Sequence, residues 1–517
     1  MRKRCFCGIP LVGLLVAGLF LGFVFTGVSR AGGRETLSEP ELEKVFREFE
    51  RQVDKARNDF RIPGMAVAVV QGDRVVYAKG FGVKEIGKPE PVDPHTRFQV
   101  GSTSKAFTAT LVATLVDEGK VRWKDPVISH LPGFAMYDPW VTKEFQVRDL
   151  MAQHSGMKPY AGDLLAMIGY GREDIVRSTA AIRPVSSFRS EFAYVNNLWV
   201  TAAAVVETKT GKTWEQNIQE RIFDPLGMTE SSTSREALFK SGNEATFHTF
   251  DGKKATPISR DWPMFDWPYV YGPAGGINSN ILDMAKWVRM QLGEGTFEGK
   301  KVVGKESLAF THEPQTPIAE GKNAYCLGWV KTDYEPCPLI WHNGATTGSA
   351  TLVMMAPALD LGIVILSNLV TPAPDALGMV FMDLCTGAAD DSDRLGTALE
   401  GWKKKLAEEA QKGVRPKGAT LPLPGAAYAG TYESPLFGPA RLMDRRGTLV
   451  LRLGPKGFEL NLKALNRDNF LLSAAGLDDG DAGTVRFDVG PDGKSFAFEL
   501  LDNDGDPVSR FTRTDDK

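Results

Sequence analysis

Gly101-Ser102-Thr103-Ser104-Lys105-Ala106-Phe107 lies between a strand-like run, Phe98-Gln99-Val100, and an apolar stretch ending near Leu115-Val116. The apolar stretch predicts a buried helix that opens close to Ser102. Residues three apart share a helix face, so the Ser102 hydroxyl and the Lys105 amine can touch. A serine is a weak nucleophile until a base takes its proton, and a desolvated lysine can be that base. Four such letters also fit an ordinary solvated helix start, so the distinction rests on what accompanies them.

Two further stretches do. Phe192-Ala193-Tyr194-Val195-Asn196-Asn197 leads into a helical run, Leu198 to Val206. A tyrosine beside a lysine can pass the serine proton to a leaving group, and Asn196 can hydrogen-bond an acyl substrate and Lys105. Taken alone, these two also fit a buried tyrosine and a turn asparagine. Trp341-His342-Asn343-Gly344-Ala345 ends a strand-like run just before another at Ala350. Glycine there lets a substrate approach the backbone, and the next amide can face a developing oxyanion. Taken alone, it is a strand end with a surface histidine.

The surrounding pattern is that of an α+β domain. Ser38-Glu39-Pro40-Glu41 caps a helix running to about Phe60. Met65–Val70 and Arg74–Lys79 flank Gly72-Asp73 as a hairpin. The chain is then helical with long loops from about Val121 to Gly321. Strand patterns return at Tyr325–Thr332, Leu339–His342, Ala350–Ala356 and Gly362–Asn368, and a helix at Asp375–Leu384 follows. Early and late strands around a helical middle imply one sheet built from both chain ends. Asp390–Lys417 is charged, helix-prone at Trp402–Gln411, and reads as a linker. From about Pro422, short strands alternate with turns, the signature of a small barrel or sandwich. The Asp502-Asn503-Asp504-Gly505 turn lacks a complete calcium-loop pattern and is expected to be a plain hairpin turn.

With 517 residues the chain has room for several domains, and its 43% hydrophobic and 24% charged content is globular. A net charge of -3 gives no reason to expect a nucleic-acid partner. Arg2-Lys3-Arg4, an apolar run from Ile9 to Val28, and Ser29-Arg30-Ala31 form an export signal, 1–31, or an uncleaved membrane anchor. Either predicts a chain that works outside the cytoplasm, periplasmic or extracellular. Cys5 and Cys7 precede the apolar run, the wrong place for lipid attachment. That leaves Cys326, Cys337 and Cys385, an odd number, and hairpin register sets the first two apart. Scattered histidines and the absence of H-E-x-x-H or C-x-x-C predict no metal site. No cofactor is expected.

In this order, S-x-x-K, Y-x-N and H-x-G resemble the serine β-lactamase and penicillin-binding-protein superfamily. The likeness is to its class C-like branch, which also holds D-amino-acid peptidases, D,D-carboxypeptidases and carboxylesterases. Met65-Ala66-Val67-Ala68-Val69-Val70, Leu150 to Met157, Asp224-Pro225-Leu226-Gly227-Met228 and Pro273 to Ser279 resemble phrases of that branch. The resemblance implies a β-lactamase/transpeptidase-like sheet with flanking helices and a helical insertion over 36–388. A charged linker (389–420) and a β-barrel resembling a lipocalin (421–517) complete the chain. By the same resemblance Ser102 is the acylated nucleophile, and Lys105 and Tyr194 jointly supply the base. Asn196, His342, Gly344 and Ala345 face the substrate, with the Ser102 and Ala345 amides as the oxyanion hole. His154-Ser155-Gly156 is a structural loop phrase.

His342 replaces the lysine of the usual K-T-G. A histidine is largely neutral at neutral pH, which weakens recognition of a free carboxylate and raises the Tyr194 pKa. The implied activity is cleavage of an amide or ester through acyl-Ser102, by a D-amino-acid-type peptidase or carboxylesterase. A penicillin-binding or wall-peptide receptor without turnover, or a weak β-lactamase, are the alternatives. The partner is a small molecule or peptide. The aromatic stretch Trp262 to Tyr269 fits either a lid or packing.

Overall fold

The main sheet, in a computed structural model of the protein, has eight antiparallel strands. They are β1 (Gly64–Gln71), β2 (Arg74–Gly82), β3 (Thr316–Pro317), β4 (Asn323–Tyr325), β5 (Val330–Thr332), β6 (Leu339–Thr346), β7 (Ser349–Ala356) and β8 (Leu361–Ser367). Their order is β2-β1-β8-β7-β6-β5-β4-β3. The described residues are 37–319, 321–388, 393–412, 414–473, 483–502 and 505–514. The chain's first and last sheet strands are neighbours, with Met65 opposite Ser367 and Gln71 opposite Leu361. One sheet from both ends of the domain is therefore what forms.

Strands β1, β7 and β8 are buried along nearly their whole length, as strands covered on both faces are. Alternate residues serve two cores. Met65, Val67, Val69, Ile363 and Ile365 pack with α1 (Glu39–Asp59). Ala66, Ala68, Val70, Val364 and Leu366 face the helical insertion, which contributes α2 (Ser104–Asp117), α3 (Leu164–Met167), α4 (Asn197–Thr210) and α5 (Ile281–Leu292). Helix α6 (Ala373–Thr386) joins α1 on the first face.

The stretch expected to be a linker contains a helix, α7 (Arg394–Lys412). Leu395, Ala398 and Trp402 lie on one side of it and are buried in the first core. Trp402 stacks on Phe250 with ring centroids 4.9 Å apart, and Arg394 pairs with Asp383 of α6. The expected strand Tyr325–Thr332 is instead the hairpin β4–β5, turning at Gly328 with φ +78°. Its tip rests on α2, because an ideal Cβ on Gly328 would come within 2.8 Å of the Lys105 carbonyl.

The C-terminal part is a closed barrel of eight antiparallel strands. They are β9 (Gly430–Ser434), β10 (Gly438–Arg445), β11 (Thr448–Leu453), β12 (Phe458–Asn466), β13 (Asn469–Ser473), β14 (Thr484–Val489), β15 (Ser495–Leu501) and β16 (Pro507–Arg513). Each pairs with the next, and β9 closes on β16. Closure leaves no free edge, and Tyr432, Phe487, Phe498 and Phe511 are buried in the barrel's share of the core.

Cys326, Cys337 and Cys385 are buried, and none forms a disulfide among the described residues. Among the described residues no cluster suits a metal ion, and no helix is long and apolar enough to cross a membrane. The expected export segment with Cys5 and Cys7, and two residues of the Asp502–Gly505 turn, lie outside the described residues.

Candidate active site

Helix α2 starts from a single 3-10 turn, Gly101–Thr103, whose Gly101 has φ +55°. Ser102 is 6% exposed and Lys105 0%. The Lys105 Nζ donates to Ser102 Oγ at 3.1 Å and to the Ala274 carbonyl at 2.8 Å. It also sits 4.7 Å from the centre of the Tyr194 ring. Burial drives this amine well below the ordinary lysine range, and the Asp163 carboxylate partly opposes the change. The Pro273–Ser279 phrase now has a physical role. Its carbonyls receive Lys105 and Thr108, and the Ile277 amide donates to Ser104 Oγ.

Tyr194 and Asn196 are delivered by the chain entering α4. Gln153, with φ +58°, clamps it: its side-chain oxygen accepts from the Val195 amide at 2.7 Å and its carbonyl from the Ala193 amide at 2.8 Å. Gln153 is followed by His154, which bonds the buried Asp149 at 2.8 Å and Thr316 at 2.9 Å. Asp149 also takes a two-pronged Arg189 pair. The Leu150–Met157 phrase is thus a brace, and His154 stays out of the nucleophile's reach.

The Tyr194 hydroxyl is buried with no hydrogen-bond partner among the described residues. Burial pushes this phenol far up; the nearby Ser102 hydroxyl pulls it down, without completing a well-formed bond, and Asp163 pushes it up. Asn196 does not turn to Lys105 as expected. Its Nδ2 donates to Asp163 Oδ2 at 2.7 Å. Burial raises the Asp163 carboxyl to about 7, against the pull of Asn196 and Lys105. No spacing marked Asp163 in the sequence, where it is a lone acid ahead of Leu164-Leu165-Ala166-Met167.

Strand β6 forms the opposite wall. An ideal Cβ on Gly344 would lie 2.1 Å from the Val100 carbonyl oxygen, 2.6 Å from Thr351 Oγ1 and 2.9 Å from the Ser102 amide nitrogen. An ideal Cβ on Gly101 would lie 2.7 Å from the Ala345 nitrogen. Glycine at both positions therefore lets the nucleophile turn and the strand touch. The Ser102 and Ala345 amides come to the same edge. His342 is only 1% exposed and lies beneath this wall rather than on it. Its Nε2 is 3.2 Å from the Tyr325 hydroxyl. Burial and the nearby Lys105 push its pKa down to about 3, so it is uncharged. Asn343 donates to Asp375, which is half-buried, at 2.8 Å.

The aromatic stretch is packing. Trp262 and Phe265 are buried, Phe265 lies against Phe239 and Phe247, and Trp267 Nε1 donates to Thr347 at 2.9 Å.

Known proteins resemble this chain in sequence and in fold. An unguisins hydrolase of Aspergillus campestris (strain IBT 28561) is 27% identical over 489 residues, covering 88% of this chain and 89% of its own. Penicillin-binding protein 4 of Amycolatopsis lactamdurans is 28% identical over 331 residues, covering 62% of this chain and 84% of its own. In fold, the octameric penicillin-binding protein homologue from Pyrococcus abyssi matches 90% of this chain and all of its own, with TM-score 0.60 and 19% identity. The profile of the Beta-lactamase family matches residues 46–381. That match runs from α1 through the sheet into α6, and on it the chain belongs to the Beta-lactamase family, as a serine hydrolase.

Proposed function

We propose that the chain cleaves an amide or ester through a covalent acyl-Ser102 intermediate, as a D-amino-acid-type peptidase or carboxylesterase working outside the cytoplasm. The observation that carries this is the buried Lys105 amine 3.1 Å from Ser102 Oγ. Burial favours the neutral amine and the neutral phenol, which supports Lys105 as the base and Tyr194 as the proton-donating hydroxyl.

Ser102 Oγ attacks the substrate carbonyl carbon while its proton moves to Lys105 Nζ. The carbonyl oxygen becomes an oxyanion beside the Ser102 and Ala345 amides. The intermediate collapses by breaking the C–N or C–O bond. The leaving group takes a proton from Tyr194, which is replenished from Lys105. Water then attacks the acyl carbon, gives its proton to the same pair, and the acid departs as Ser102 regains its hydrogen. Asn196 hydrogen-bonds the acyl part.

His342 supplies no cation for a free substrate carboxylate, so β-lactam hydrolysis is weak. The hydrolase relative's name supports turnover over a receptor role. Fluorophosphonate labelling with mass spectrometry, beside a panel of p-nitrophenyl esters and D-aminoacyl amides, tests this. Labelling at Ser102 and turnover are expected, both abolished by Ser102→Ala. Full activity in that variant sinks the proposal, and a label on Ser102 with no turnover of any substrate replaces it with a receptor.

A further inference from the structure

The segment from Lys158 to Tyr170 is gripped from two sides. On the active-site side, Asp163 Oδ2 accepts from Asn196, and Oδ1 is buried without a hydrogen-bond partner among the described residues. On the other side stands the barrel. Helix α3 and Ile168 share one apolar cavity with Leu451, Leu453, Leu460 and Phe511 of the barrel interior. Apolar side chains of the barrel interior and of this segment thus face one another across a single space.

Polar contacts fix the same segment at both ends. Lys158 Nζ pairs with Asp502 at 2.6 Å and Asp506 at 3.2 Å. The Tyr170 hydroxyl donates to the Phe437 carbonyl at 2.8 Å. Between them the backbones nearly touch. Gly454 has φ +74°, and an ideal Cβ there would lie 2.3 Å from the Ile168 carbonyl oxygen.

We propose, building on the hydrolase function above, that the barrel is a positioning element of the active site: by enclosing Leu164–Ile168 it holds Asp163 against Asn196. Asp163 is then the positioning residue through which the barrel acts on Lys105. The groups that feel its charge are Lys105 of α2, Tyr194 at the entry to α4, Tyr160 on its own loop, and Tyr271. An ionised carboxylate here makes Lys105 hold its proton longer and disfavours a Tyr194 phenolate, by an amount set by separation. Letting the segment drift frees the Asn196 amide and removes that influence together.

The test uses the full-length protein with Asp163→Asn, Gly454→Ala, Met167→Ala and the Asp163→Asn/Gly454→Ala double variant. Circular dichroism checks that each folds. Two quantities are read: amide hydrogen exchange over residues 158–170, and the pH profile of Ser102 labelling by a fluorophosphonate. Asp163→Asn should move the acid limb to lower pH by removing the carboxylate near Lys105, while its amide oxygen can still accept from Asn196. Both barrel-docking variants should lose exchange protection over 158–170 and shift the limb the same way. In the double variant the effects should combine to less than their product, because both act through one contact.

Lost protection with a wild-type labelling rate and profile overturns the proposal, as do effects that simply multiply. Unchanged protection in both docking variants shows that the barrel does not hold the segment. If the wild-type protein neither labels nor turns over, the hydrolase function falls, while the exchange result still decides whether the barrel seats the loop.

Discussion

Replacing Gly344 with alanine puts a methyl group where the structure has none to give. Its Cβ would sit 2.1 Å from the Val100 carbonyl oxygen, about 1.3 Å inside the 3.4 Å where ordinary contact begins. The obstacle is backbone on the nucleophile's own turn, so no side-chain rotation relieves it. The strand or the turn must retreat by about 1 Å, carrying the Ala345 amide away from Ser102. A displacement of that size costs on the order of 10²-fold in rate, and losing one oxyanion donor costs about 2.7–4 kcal/mol. Pre-steady-state release of p-nitrophenol, with substrate in excess, isolates acylation. The expected result for Gly344→Ala is a burst slowed about 10² to 10³-fold with the Ser102–Lys105 pair intact. Adding Thr351→Ala removes the second clash, at 2.6 Å, but not the first, so it should not restore the rate. A folded Gly344→Ala protein that acylates at the wild-type rate would refute the assignment of this edge as the oxyanion site.

The remaining predictions concern protons and packing. Labelling of Ser102 should rise with pH as Lys105 loses its proton, and Lys105→Arg, which stays charged, should abolish it at every pH; a labelled arginine variant excludes Lys105 as the base. His342→Lys puts a second cation near Lys105 and should move the rising limb of kcat/KM to lower pH, whereas an unchanged profile shows that position 342 does not tune the base. Burial raises the Asp375 carboxyl to about 7, so its protonated form favours the fold. That contribution is complete below pH 3.8 and is lost as pH rises through about 7, at most roughly 4 kcal/mol. Thermal unfolding of Asp375→Asn should therefore fall less between pH 5 and 8 than the wild type, and parallel curves would show the carboxyl is not the source. In the barrel, the buried Tyr432 hydroxyl donates to the Tyr428 carbonyl at 2.6 Å. Tyr432→Phe should cost about 1 kcal/mol in urea unfolding, and an unshifted midpoint would show the bond adds nothing net.

Ser102, Lys105, Tyr194, Gly344 and Ala345 were legible because chemistry at a helix start or strand end leaves short local patterns. Strands β1, β7 and β8 were legible because continuous apolar runs of that length fit strands covered on both faces. Asp163 was not, since its meaning comes from Asn196, 33 positions away, with no local pattern joining them. The burial of His342 was hidden for a like reason: Tyr325 and its neighbours cover it only after β4 and β6 share a sheet. The helical tendency of α7 was legible at Trp402–Gln411, but its docking was not, because its charges outnumber the few apolar residues, Leu395, Ala398 and Trp402, that it buries. Strands β10 and β16 begin at or beside a proline and turn inward only at alternate positions such as Ala440, Leu442 and Phe511, too sparse a signal for a strand.

Pairing Met65 with Ser367 has a consequence in time. Strand β1 leaves the ribosome with its central partner still 302 residues away, an interval of roughly 15 to 60 seconds at ordinary synthesis rates. Gly344 and Ala345, which complete the nucleophile's surroundings, arrive in the same late portion. Until then Ser102 is an ordinary alcohol on an unfinished chain. A product truncated before β8 would carry every residue of the S-x-x-K, Y-x-N and H-x-G motifs but lack the strand that joins β1 to β7.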